Sequence, residues 1–566
     1  MTKRILYSFA LICALAPLPA TVSAEVNAGA YLAGNSAAGD NDFMAAATWF
    51  AQALSADPGN PALIENLIAS RIGVGDPLGA VDVAQAARSA GIESQLSNMV
   101  LAADAAIRGD WSEIFDAHEA GHVVSPLVDG LTRGWAFVGL GRMDQALVAF
   151  DEMIETRGLR SFGLYHKALA LASVGDFEAA QAILSLPPEE GLPRSRRSII
   201  AYAQILSQLG QNDQAIALLN AAFSGNSDPY LDTLRERLSG SEAIPFNMVP
   251  SAREGLAEVY NSVALVLQAD TPEAYVLLYA RIAQTLSPRD AEVAILSATL
   301  LESLGNYDLA NAAYTLVPQD DPAFHQAELG RAEVLRKDGQ VERAIEVLQQ
   351  LVRAFPEYPM GFANLGDTLR RAERLPEAGE AYSKALALMP QTDPRLWFVY
   401  YMRGITNHLT DQWPSAEADF RAALARNPNQ PQVLNYLGYS LVERGEKLDE
   451  ALEMIERAVR EEPQNGAIVD SLGWALFVLG RVEESVEPME RAAELEPVDP
   501  VVNDHLGDVY WSVGRILEAR FQWNRALSFD PPPEEAVRIR RKLEIGLDAV
   551  LMEEADPSTL NMSQDL

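Results

Sequence analysis

Apolar residues along this chain recur at i, i+3 and i+4, the spacing of amphipathic helices, and the helices they predict come in pairs. A small residue marks the first helix of nearly every pair: Gly34, Ala102, Gly134, Ala168, Ala203, Ala264, Ala298, Ala332, Gly366, Gly404, Gly438, Gly473 and Gly507, with Ile68 in the second place. Every step is 32 to 38 residues except the one from Ala203 to Ala264, which is 61. A second comb follows twelve or thirteen residues later, at Ala46, Ala80, Ala146, Ala180, Ala215, Ala310, Ala344, Ala378, Ala416, Ala451, Ser485 and Ala519. Ile114 and Val276 break it. Sixteen residues after the anchors stand large side chains, among them Phe50, Phe150, Leu219, Tyr314, Leu348, Tyr382, Phe420 and Trp523. Such a period predicts stacked two-helix units that touch only their neighbours, not one globular core. Small residues are expected where two helix backbones cross closely.

The clearest stretches run from Asn435-Tyr-Leu-Gly-Tyr439 to Pro463, from Asp470-Ser-Leu-Gly-Trp474 to Pro497, and from His505-Leu-Gly-Asp-Val-Tyr510 to Pro531. Each has an early Leu-Gly, a turn glycine (Gly445, Gly480, Gly514), a second small residue and a closing proline. This series resembles the tetratricopeptide repeat over residues 30 to 531, most clearly from Ala291 onward. The resemblance implies an all-α fold: an α-α superhelix of about 14 helix hairpins with a concave inner face. The expected division is a signal peptide at 1–24, an N-terminal repeat block at 25–224 and a joint at 225–253. A C-terminal block at 254–530 and a capping helix with a flexible tail at 531–566 complete it. Turn residues of Gly225-Asn-Ser-Asp-Pro229 and the Pro245–Pro250 stretch mark the joint. The cap is read as one helix from Glu534 to Glu553, with Arg538, Arg540, Arg541 and Lys542 among its exposed charges.

Lys3 and Arg4 precede an apolar run, Ile5 to Leu18, and Val22-Ser23-Ala24 offers small residues for cleavage. The run is shorter than the roughly 20 residues a membrane span needs. The expectation is export to the periplasm or envelope, with Glu25 as the mature start. Cys13, the single cysteine, lies inside this leader behind the bulky Ile12. The alternatives to cleavage after Ala24 are an uncleaved anchor and lipidation at Cys13, and the pattern favours cleavage. Loss of Lys3 and Arg4 takes the net charge from −35 to −37. That excess of acid argues against nucleic-acid binding, which needs a basic footprint, and against unaided docking on anionic lipid.

His118-Glu119-Ala-Gly-His122 carries the one pattern with catalytic precedent. Two histidines four apart on a helix can hold zinc beside a glutamate base. In the repeat frame, however, His118 takes the slot of the large packing residues, and Gly121 the slot filled elsewhere by alanine. No phosphate-cradling loop or nucleophile elbow accompanies it. The expectation is therefore no enzyme, no cofactor and no metal, with a zinc metallopeptidase using His118, Glu119 and His122 as the alternative of a different class.

Residues one period apart form ladders. Three before the anchors stand Asn435, Asp470 and Asp504; one after, Tyr439, Trp474 and Asp508; four after, Val442, Phe477 and Trp511. By resemblance these offsets line the concave groove. Asn435, Tyr439, Asp470, Trp474, Phe477, Asp504, Asp508 and Trp511 are thus the expected protein-binding wall. Arg336 and Lys337, with Arg370 and Arg371 one period on, are the expected basic clamp for acidic groups. Gly255-Leu-Ala-Glu-Val-Tyr260, Ala264-Leu265 and the series through Trp511 are also similar to proteobacterial envelope adaptors of carboxyl-terminal processing proteases. That resemblance implies a scaffold that assembles such a protease with cell-wall hydrolases as its partners. Scaffolds for outer-membrane assembly or polysaccharide export are the alternative.

Overall fold

The computed structural model describes residues 27–187, 192, 194–223, 229–240 and 243–555. The leader with Cys13, the turn residues 225–228 and the tail beyond Ala555 lie outside them. Among the described residues there are 31 α-helices, one short 3₁₀ turn and no strand. Fourteen helix pairs run from Ala28–Gly39/Phe43–Ala56 to Pro500–Ser512/Ile516–Ser528, with a lone helix, Pro229–Ser239, after the sixth. The starts are written locally. Asp42, Ser94 and Asp499 accept hydrogen bonds from first-turn N–H groups, and Pro61, Pro126 and Pro500 stand at N1, where no N–H is needed. At the stops, Gly480 takes φ +75° while the N–H of Arg481 reaches back to Leu476.

The combs have a packing reason that the structure makes specific. Every alanine of the second comb, and Ser485, is 0% exposed. On the first comb, a Cβ added to Gly34, Gly134, Gly404 or Gly507 would lie 2.4–2.8 Å from the ring of Phe50, Phe150, Phe420 or Trp523. The residue sixteen positions on is therefore seated over the glycine, and the pair is one knob-and-socket per repeat. His118 departs from this pattern: it is exposed rather than filling the large-residue slot. Its helix, Trp111–Glu119, is short and carries Ile114 where most other repeats have alanine.

The chain divides into two compact units, one up to Ala344 and one from Ile345. The expected joint at 225–253 does not separate two cores. In the first unit the pair Ala252–Leu267/Glu273–Leu286 turns back onto the first helices of earlier pairs. Ala252–Leu267 packs on Gln95–Arg108, Pro126–Gly139 and Arg160–Ser173, and Glu273–Leu286 packs on Pro61–Val74 and Gln95–Arg108. Gly255 to Ala264 and Val276 to Gln284 are buried without interruption, so both helices are covered on every face. Trp135 lies against Gly255, where a Cβ would be 2.2 Å away. Buried Arg197 ties the assembly together, reaching Glu258 at 2.7 Å and Asp290 and Glu292 at 2.8 Å.

In the second unit, first helices of successive pairs approach one another, whereas their second helices meet only the flanking first helices. The first helices thus form the tighter, inner wall. The expected single cap is two helices, Pro533–Ile545 and Leu547–Ala555, broken at Gly546 with φ +86°. Gly546 sits on Trp511, where a Cβ would be 2.4 Å from the indole. Lys542, expected as an exposed charge, is 0% exposed, and Arg538 is half-buried.

Candidate functional site: the inner wall of the second unit

Offsets −6, −3, +1, +4 and +5 from each anchor fall within about 100° of a helix's circumference. They form one stripe per first helix, and the stripes stack into a wall. At its C-terminal end the wall is occupied by the chain itself. Nζ of Lys542 bonds Asp504 at 2.8 Å and Asp508 at 2.7 Å, and Arg538 stands 3.8–3.9 Å from the same carboxylates. Trp523 donates to Asp508 at 2.9 Å. Burial, opposed by Lys542, holds Asp508 above the ordinary carboxylate range. Trp511 donates to Asp548 of the last helix at 3.1 Å and lies 5.3 Å from Trp523. Of the predicted wall residues, Asp504, Asp508 and Trp511 therefore serve an intramolecular interface.

One rung back, Asp470 is buried and takes Nδ1 of His505 at 3.0 Å. Burial alone would lower the His505 pKa, but the Asp470 carboxylate outweighs it and the net shift is upward. Trp474 stacks on His505 at 4.0 Å and 15°, and on Phe477 at 5.1 Å and 24°. Its indole N–H is held by Glu443 at 2.7 Å. Trp474 and Phe477 are half-buried, presenting an edge rather than a full face. Tyr439 is half-buried as well; burial and the nearby Glu443 and Asp470 carboxylates raise its hydroxyl pKa. Asn435 keeps Oδ1 buried without a hydrogen-bond partner.

The stripe's outer offsets, −6 and +5, carry the wall's exposed apolar groups. Phe398 is six before Gly404 and 45% exposed; Leu409 is five after it and 56% exposed; Val478 is five after Gly473 and 40% exposed. Tyr401 and His408 stand beside them, packed at 6.1 Å and 5.6 Å on the ring of Tyr436. Phe398, Leu409, Val478, Glu443, His505 and Lys542 stand at the wall but are not among the residues expected there from the sequence. Phe398, Leu409, Val478 and Glu443, at offsets −6 and +5, follow from extending the ladder by one helical turn, whereas His505, at −2, and Lys542 do not.

The basic residues are engaged locally. Arg336 pairs with Glu333 at 2.6 Å and Lys337 with Glu302 at 2.9 Å. In the other unit, Arg370 and Arg371 share Asp367 at 3.1 and 3.5 Å. The four are divided between the units, two in each, and none presents an unanswered charge. The zinc reading loses its geometry: the helix ends at Glu119, Gly121 takes φ +86°, and His122 lies beyond the helix. Both histidines border a cavity of about 40 Å³ with Asp129, Thr132 and Tyr260. Among the described residues no group of three or more His, Cys, Asp or Glu side chains is placed to hold a metal. No described helix is long and apolar enough to cross a membrane.

The tetratricopeptide repeat family matches residues 295–359, 329–392, 410–447 and 440–500. A TPR repeat-containing protein of Pseudomonas aeruginosa is 29% identical over 160 residues, covering 28% of this chain and 26% of that protein. Human tetratricopeptide repeat protein 13 is 28% identical over 183 residues, covering 31% of this chain and 21% of its own length. This chain thus spans about a quarter or less of the length of these relatives. Among solved structures, the Cut9–Hcn1 hetero-tetramer of the APC/C aligns over 91% of this chain and 96% of that one, at 15% identity and a TM-score of 0.38. With the period, the seated rings and the family match in agreement, the chain carries tetratricopeptide repeats, matched over residues 295–392 and 410–500.

Proposed function

We infer that the chain is an exported, non-catalytic adaptor that holds partner proteins against the inner wall of its second unit. The observation that carries this reading is the exposure of Phe398, Leu409 and Val478 on the ladder stripe. A wall needed only to close repeat on repeat would bury such side chains. Aromatic and aliphatic anchors bordered by polar groups are the usual make-up of a binding hot spot. The first unit's inner wall is filled by its own hairpin, which leaves the second unit as the place for a partner. The partner segment brings bulky apolar side chains to the stripe, and the strong negative charge of the chain favours a partner of basic character.

The leader pattern and the resemblance to envelope adaptors support a finer reading. The site of action is the bacterial envelope, and the partners are a carboxyl-terminal processing protease and the cell-wall hydrolases it cleaves. A photo-crosslinking residue at 398, 409 or 478 should capture discrete partners in cells, and one at Arg491 on a second helix should not. Equal capture from all positions refutes the wall. The mature protein should begin at Glu25 in the periplasmic fraction; a cytosolic chain that retains Met1 refutes export.

A further inference from the structure

The first unit buries two arginines and treats them differently. Arg197 meets three carboxylates. Arg281, on Glu273–Leu286, is 5% exposed and has no carboxylate partner among the described residues. It makes one hydrogen bond, from Nη1 to Oε1 of Gln284 at 2.7 Å. Its Nε is buried without a partner, and so is Nε2 of Gln284. A guanidinium stays protonated at neutral pH even when burial, as here, draws its pKa down to about 10. Buried charge left uncompensated is costly and is ordinarily paired.

The surroundings supply part of an answer. The guanidinium lies over Gly75, the residue that closes Pro61–Val74 with φ +97°. A Cβ there would stand 3.3 Å from Cζ and Nη1 of Arg281. The end of that helix offers roughly half a negative charge, which leaves about half the cation unmatched. What remains is one fixed positive charge and two unmet N–H donors, Arg281 Nε and Gln284 Nε2, on a hydrogen-bonded pair. The complement is a small, negatively charged group that only accepts hydrogen bonds.

We propose that Arg281, Gln284 and the Gly75 turn form a binding site for a small anion, a halide or a carboxylate- or phosphate-sized oxyanion. Bound there, it fastens the inward-turned hairpin to the Pro61–Val74 helix. The site is separate from the partner wall and does not depend on it.

The test is thermal unfolding of the full chain in sodium chloride, phosphate or acetate, against sodium gluconate at matched ionic strength as the bulky reference. Hydrogen exchange over 61–74 and 273–286 localises the effect. The wild type should gain stability saturably in at least one small anion over gluconate, with slower exchange in those two helices. A response to chloride alone identifies a halide site; a response to phosphate or acetate identifies an oxyanion site. Arg281→Met should abolish the difference and be at least as stable as wild type in gluconate, since the unanswered charge is gone. Gln284→Leu keeps the charge, removes one donor, and should raise the half-effect concentration several-fold; it also serves if the first variant does not fold. The proposal fails if no small anion exceeds gluconate, or if either variant responds as wild type does.

Discussion

Nζ of Lys542 lies 2.7 Å from both carboxylate oxygens of Asp508, and no part of the Lys542 side chain reaches solvent. This contact turns the last rung of a partner-binding ladder into a lock on the chain's own final helices. Removing one member of a buried pair typically costs about 3–5 kcal/mol, because the other charge stays behind unpaired. Here two carboxylates, Asp504 and Asp508, would be left. Lys542→Ala is expected to loosen Pro533–Ile545 and Leu547–Ala555 by that order. Faster hydrogen exchange over residues 500–555, with exchange before Ala344 unchanged, is the measurement that checks it.

The seated rings predict opposite outcomes for two helix-interior glycines in the same unit. At Gly404 a Cβ would meet the Phe420 ring at 2.7 Å; at Gly379 the nearest atom is Thr406 Cγ2 at 3.8 Å. Gly404→Ala must displace a 0%-exposed ring and should destabilise by about 1–3 kcal/mol. Gly379→Ala meets ordinary contact and should stabilise by roughly 0.5–1 kcal/mol through helix propensity. Urea titrations of the two variants beside wild type decide the matter. Equal effects would mean that the comb reflects propensity rather than a socket.

A third expectation concerns the wall. Trp474 is both a packing residue, stacked on His505, and an edge facing outward, so Trp474→Ala changes folding and binding together. Phe398→Ser and Leu409→Ser separate the two, because both side chains are substantially exposed and surface changes usually stay within about 0.5 kcal/mol. Partner recovery in co-purification should fall at least several-fold for the double variant, with an unchanged melting temperature. Full recovery would remove the stripe from the interface.

The repeat architecture was legible because each repeat solves the same local problem. Ala378 must be small and Tyr382 large wherever two hairpins stack, so the period survives in the sequence. The inward hairpin was harder to read. Its anchor Ala264 keeps the rhythm to Ala298, and only Val276 and the 61-residue step before it separate it from an outer repeat. Glu258, Asn261 and Ser262, at i, i+3 and i+4, read as a solvated face, yet all three are buried, and the sequence does not name the surface that encloses them. Lys542 was unreadable for a related reason: a lysine among arginines on a cap reads as solvated until the acids one period back are placed beside it. The break at Gly546 was available, since a glycine four residues after Lys542 is a poor helix interior and a good stop.

The buried imidazole of His166 supplies the last expectation. Nδ1 accepts the indole N–H of Trp135 at 3.0 Å, and both rings are 0% exposed. Burial draws the His166 pKa down to about 3, so the folded state holds it neutral, while in the unfolded chain it titrates near 6.5. Below that value the unfolded chain takes up a proton that the folded chain refuses. Stability from this group is complete above pH ~6.5 and is lost progressively as pH falls toward ~3. Between pH 7.5 and pH 5 the loss is about 2 kcal/mol. His166→Gln retains an acceptor for Trp135 but does not titrate. The variant should therefore lose less stability than wild type over this interval, by that amount, in chemical denaturation at each pH. Parallel pH profiles would show that the imidazole gains a proton without unfolding, and that the Trp135 pocket admits water.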